Sequence, residues 1–167
     1  MKEFDIEERV QKARMLFKEK GYNCCQAVVM AYNDLFDIED RTAAAMSSGF
    51  GGGMGRMREV CGSVSAMVLL CGLISPADDP SDKQARTVNY SLVQETAGKF
   101  REFNGSIVCR ELLGLDRGKC NGAAVYESPE PSDRTPEYYR KRPCEELVAM
   151  SARIIGEKIL LMAQNGN

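Results

Sequence analysis

Apolar residues return every three or four positions over most of this chain, the spacing of one buried helical stripe. Ile6, Val10, Ala13 and Phe17, with Leu16 alongside, predict a helix from about Asp5 to Lys20 that stops at Gly21. Asn23 caps a second helix to about Phe36, with Val28, Val29, Tyr32 and Leu35 or Phe36 inward. A short Ala-rich helix, about Glu39 to Ser48, ends at Gly49. Cys61 to Cys71 carries almost no charge and sets Gly62, Ser63, Ser65 and Ala66 on one side. That composition suits a helix crossed closely by neighbours; a β-strand is the alternative. Ala85, Val88, Leu92, Thr96, Phe100 and Phe103 predict a long amphipathic helix over 81–103, broken by Gly105. Ser106 then caps a short helix to Leu113. Residues 116–142 hold Gly, Asn and Pro and read as an irregular or partly helical excursion. Pro143 suits the first position of a last helix, Cys144 to about Ala163. Its inward face is Leu147, Val148, Ser151, Ile154, Ile155, Ile159 and Met162. The expected architecture is all-α: one compact multi-helix bundle, a single domain over residues 1–167.

One stretch breaks the pattern. Gly49-Phe50-Gly51-Gly52-Gly53-Met54-Gly55-Arg56-Met57-Arg58-Glu59-Val60-Cys61 is a glycine-rich interhelical loop that runs into the central helix. Glycine loses more backbone entropy on folding than any other residue, so a run this dense needs a reason. It does not fit the spacing of a dinucleotide fingerprint, and no Lys-Ser/Thr follows for a phosphate loop. Bare amides at Gly51, Gly52, Gly53 and Gly55, beside Arg56, can cradle a small anion or steady a thiolate at Cys61. A tight crossover, with Arg56 and Arg58 in water or paired to Glu59, explains the same residues without a ligand.

Composition narrows the chemistry. The formal net charge of −2 is spread along the chain, so there is no basic footprint for nucleic acid. No apolar run reaches the roughly 18 residues of a membrane span. The opening Met1-Lys2-Glu3-Phe4-Asp5 lacks a signal-peptide layout, so a cytoplasmic protein is expected. The chain has no histidine, which removes Ser-His and Cys-His dyads and every His metal site.

Seven cysteines remain, at positions 24, 25, 61, 71, 109, 120 and 144. Cys24, Cys61, Cys109 and Cys144 each fall in the first turn of a different expected helix. A helix N-terminus carries about half a positive charge and unpaired amides, which favour the thiolate. Cysteine also packs as a small buried hydrophobe, and that reading needs no function. Cys71 is expected in the core, Cys25 in helix packing, and Cys120 as a resolving or merely exposed thiol. No Cys-x-x-Cys occurs, so any shared site must be assembled by packing.

The chain resembles the C_GCAxxG_C_C family of redox-active proteins, small proteins with four isolated cysteines. The resemblance is carried by Asn23-Cys24-Cys25-Gln26-Ala27-Val28, the segment from Ser48 to Gly55, Val60-Cys61-Gly62-Ser63-Val64-Ser65-Ala66, Cys109-Arg110-Glu111-Leu112-Leu113-Gly114, and Cys144. It implies that Cys24, Cys61, Cys109 and Cys144 are the family's four cysteines. Ser63 stands where Ala is usual and Ala66 where Gly is usual, and Cys25 replaces a small residue. A hydroxyl at position 63 puts a new hydrogen-bonding group beside Cys61.

Three expectations follow. In the first, Cys61 is a central thiolate and Cys24, Cys109 and Cys144 are its disulfide partners, serving an unidentified redox partner. In the second, the same four thiolates bind zinc or an iron–sulfur cluster. In the third, a helical interaction protein merely buries its cysteines. Self-association as a homodimer is expected without an assigned surface.

Overall fold

A computed structural model describes residues 2–115 and 128–164. Among these residues it holds eight α-helices and no strand. They are α1 (Ile6–Lys18), α2 (Cys24–Tyr32), α3 (Asp40–Ser47), α4 (Gly62–Ile74), α5 (Lys83–Asn104), α6 (Cys109–Leu112), α7 (Pro136–Arg140) and α8 (Cys144–Gln164). The all-α reading holds, and the strand alternative for the apolar run from Cys61 falls away. That run is helical because small residues let its neighbours approach closely.

Caps fix where the helices begin. The Asp5 side chain accepts from the Glu8 amide and starts α1. Asn23 accepts from the Cys25 and Gln26 amides while the Gln26 side chain accepts from the Asn23 amide, a reciprocal cap that sets α2. The second helix is shorter than its stripe predicts. After Tyr32 the chain tightens into a 3-10 turn, Asn33–Phe36, and Asp37 adopts a left-handed conformation. Asp82 caps α5 and Thr135 caps α7.

The core lies where α2 and α4 meet α1, α5 and α8. Val28, Tyr32, Met67, Leu70, Phe100, Ile155 and Ile159 are almost wholly buried. Each aliphatic or aromatic side chain so buried contributes about 1.5–3 kcal/mol. Tyr32 sits at the centre, with its hydroxyl donating to the Ala152 carbonyl over 2.7 Å. A Cβ on Gly156 would lie 2.3 Å from that hydroxyl, so glycine there is what lets α8 close on α2.

Helix α5 differs from its stripe at both ends: Leu92, Thr96 and Phe100 are buried, but Val88 and Phe103 are exposed. At 1.5 Å per residue, 22 residues span about 33 Å against about 20 Å for the 13 of α4, so both ends overhang. Cys120 and most of the expected excursion lie outside the described residues. No helix among the described residues is long and apolar enough to cross a membrane.

Candidate functional site

The four cysteines singled out by position each stand at a helix start. Cys24 is the first residue of α2, Cys61 the residue before α4, Cys109 the first of α6 and Cys144 the first of α8. All four line one cavity of ≈ 40 Å³, counted as room for the centres of water-sized spheres. That is space for a few waters or one small group. Cys61 and Cys109 are buried, and Cys24 and Cys144 are half-buried. The six described cysteines are all free thiols.

Two local devices position the cysteines around the cavity. Between α4 and α6 the backbone forms a short antiparallel bridge, Val60 opposite Val108. The Cys61 amide donates to the Ile107 carbonyl over 2.8 Å, and the Cys109 amide to the Glu59 carbonyl over 2.6 Å. This sets Cys61 opposite Ile107 and Cys109 opposite Glu59, on either side of one bridge. The second device is space. A Cβ on Gly62 would lie 2.4 Å from the Cys24 sulfur, and one on Gly53 would lie 2.6 Å from the Cys109 Cβ.

The density of glycine in the loop has a backbone cause. Residues 52–56 all take positive φ, between 58° and 70°. Left-handed backbone costs a residue with a Cβ roughly 1–2 kcal/mol, which explains the glycine density. Of the four expected cradle glycines, Gly55 spends its amide inside the loop on Gly49, while the amides of Arg58 and Glu59 go to the carbonyls of Gly52 and Gly53. Gly52 is the member that lines the cavity, and its amide points to the Cys24 sulfur. Gly51, Gly53 and Gly55 do not line it.

Arg56 is also displaced from its expected place. Its guanidinium donates to the Ser128 carbonyl over 2.8 Å and to the Ser132 hydroxyl over 3.2 Å, tying down the segment before α7. Arg58 takes the position at the site. It is 5 % exposed, with one guanidinium nitrogen 4.0 Å from the Cys109 sulfur. Glu59 pairs with Arg110.

Three side chains from the segment around α7 join the site: Arg134, Tyr138 and Arg142. All three line the cysteine cavity. The Arg134 guanidinium lies over the rings of Phe17, Tyr138 and Tyr139, and that of Arg142 over Tyr138. Helical spacing does not join them, since α7 covers only Pro136–Arg140 and Arg134 and Arg142 flank it.

The expected thiolate at Cys61 needs correcting. Burial, the largest influence, pushes the Cys61 thiol far up from its ordinary value, with Cys24 and Cys109 as like-charge neighbours adding to it. Burial likewise pushes Cys144 up to about 12 and raises Cys24 and Cys109. Helix N-termini favour the thiolate, but a low-dielectric surrounding disfavours any charge more strongly. Several groups pull the other way: the amides of Gly52 and Cys25 at Cys24, Ser63 at Cys61, and Arg58 at Cys109. A charge on Cys24 is felt by Cys25, Cys61, Cys109 and Cys144 alike.

The cysteines given other roles lie elsewhere. Cys25 and Cys71 are fully buried in the core, Cys71 with its sulfur 3.6 Å from the Thr96 hydroxyl. Among the described residues no group of three or more Cys, Asp or Glu side chains is placed to hold a metal ion. The zinc or iron–sulfur reading therefore finds no ready ligand set in this arrangement.

The model of the family described as "Putative redox-active protein (C_GCAxxG_C_C)" matches residues 22–158, from just before Cys24 to beyond Cys144. No curated protein and no solved structure matches the chain.

Proposed function

The chain belongs to the C_GCAxxG_C_C family of redox-active proteins, and from that footing we propose that it carries out thiol–disulfide exchange with Cys24, Cys61, Cys109 and Cys144. The observation that carries this reading is the convergence of these four cysteines, from four helix starts, on one cavity. Cys25 and Cys71, buried at the same depth as Cys61, stay outside it.

Exchange needs a thiolate at the moment of attack. The resting site holds its thiols protonated by burial, with amides, Ser63 and arginines arranged to receive the charge when an incoming group opens the site. Cys24 and Cys144 are half-buried residues where Cys61 and Cys109 are buried, and we take them as the first to meet an outside disulfide. One of them attacks a substrate sulfur, forming a mixed disulfide and expelling the other half as a thiolate. A neighbouring cysteine of the cluster then attacks the mixed disulfide, closing a protein disulfide and releasing the second half. The pair gives up two electrons and two protons, and the substrate disulfide takes them up.

The test is to mix the reduced chain with 2-hydroxyethyl disulfide and count free thiols. The proposal expects about two to be lost without bound reagent, and much slower loss in C24S/C144S. Stable adducts on single cysteines, or identical kinetics in C24S/C144S, overturn it.

A further inference from the structure

Resting on the exchange reading above, we propose that the cysteine cavity takes an anionic substrate, a small polythionate or other negatively charged species with an electrophilic sulfur. Cations stand at three depths of one cavity. Arg58 is buried beside Cys109, Arg142 is half-buried on the wall, and Arg134 stands exposed at the rim. Among the described residues, no Asp or Glu lines the cavity.

Arg134 and Arg142 are held by aromatic faces instead of carboxylates. Their guanidinium carbons lie 5.0 and 4.7 Å from the centroid of the Tyr138 ring. Among the described residues neither forms an ion pair. A ring positions a guanidinium without neutralising it, so its charge and donors stay available to a ligand. Arg9, Arg14 and Arg153, by contrast, are paired with Asp34, Glu146 and Glu7. Cations at rim, wall and floor favour the thiolates whatever the substrate. A site whose substrate is an anion needs them a second time, because an unaided thiolate repels it.

With tetrathionate the step balances. A cysteine thiolate attacks the central S–S bond, a new S–S bond forms to the protein, and thiosulfate leaves with the electron pair. A second thiolate attacks the modified cysteine sulfur, closing the protein disulfide and releasing a second thiosulfate. The cysteine pair loses two electrons and two protons, and tetrathionate gains two electrons.

The experiment compares oxidation of the reduced chain by tetrathionate and by neutral 2-hydroxyethyl disulfide, in wild type and R134Q/R142Q. We expect the ratio of the two rates to fall about tenfold in the double variant. In wild type alone, raising salt from about 0.01 M to about 1 M should slow the tetrathionate reaction, whereas two repelling anions without cations react faster as screening grows. Thiosulfate, which cannot oxidise the pair, should raise the Tm of wild type and leave that of R134Q/R142Q unchanged. An unchanged ratio, or a tetrathionate rate that rises with salt, overturns the anion site while leaving exchange standing. If 2-hydroxyethyl disulfide does not oxidise the pair, exchange itself fails. Thiosulfate then decides the anion site alone: a shift upholds it, and its absence overturns it.

Discussion

The Cα of Gly62 faces the sulfur of Cys24 so closely that a methyl group there would stand 2.4 Å from it and 2.8 Å from the Phe50 carbonyl oxygen. A real Cβ cannot occupy that place, so glycine at the start of α4 is what allows Cys24 to sit among the other sulfurs. G62A should therefore move Cys24 and cost about 1–3 kcal/mol as an overpacked contact. Gly72 and Gly98 are interior glycines of α4 and α5 with no atom within 4 Å of the added methyl. G72A and G98A should stabilise the chain by about 0.4–1 kcal/mol through the unfolded state. Denaturant midpoints check the signs, and thiol oxidation should slow in G62A alone.

Ser63 offers a test of how Cys61 is tuned. Its hydroxyl is fully buried without a conventional hydrogen-bond partner, and it favours the ionised form of Cys61. S63A, which restores the residue usual at this position, should push the Cys61 thiol higher still. A stability gain of about 1 kcal/mol should accompany it, since an unsatisfied buried hydroxyl is removed. The check is the pH profile of Cys61 alkylation beside a urea titration. A faster Cys61 in S63A would contradict the assignment.

Stability should depend on pH in the alkaline range. The buried thiols keep their protons in the folded chain well above about pH 8.5, where the unfolded chain releases them. Their contribution is complete below that pH and is lost as pH rises through the folded values, up to about 12 at Cys144. The reduced chain should thus lose denaturant resistance progressively from about pH 8.5 to about pH 12. The oxidised chain should lose less, because two of those thiols no longer titrate.

How far the site was legible depends on the range of each interaction. The cap at Asn23 and Pro143 are signals within a few residues of Cys24 and Cys144, so their places at helix starts could be read from sequence. Cys109 fared less well in detail. Ser106 does not cap α6 but accepts from the Val108 amide within a turn, leaving Val108 in the capping position. The raised thiols could not be read, because the burial of Cys61 arises from α2, α6 and α8 closing over it, none of which is near in sequence. Arg56 and Arg58 differ by two positions in a loop of left-handed residues. Only the loop's path decides that Arg58 turns to the sulfurs and Arg56 to Ser128.

Cys71 separates packing from chemistry. Its sulfur is buried against Thr96, remote from the cavity lining. C71A should cost about 1–2 kcal/mol through the lost sulfur and its contacts, with oxidation kinetics unchanged. Cys25, fully buried one residue from Cys24, should behave the same way in C25A. Slower oxidation in C71A would mean that the core thiol takes part.

The most direct measurement of the central claim is to map the bond. The full chain is reduced without oxygen, oxidised with 2-hydroxyethyl disulfide, blocked with iodoacetamide, digested and analysed by mass spectrometry, with metal content measured on the same preparation. The account predicts one disulfide joining two of Cys24, Cys61, Cys109 and Cys144, reversed by dithiothreitol, with Cys25 and Cys71 recovered as blocked thiols. Four alkylated single cysteines with no bond between them, or stoichiometric zinc or iron that prevents oxidation, would contradict it.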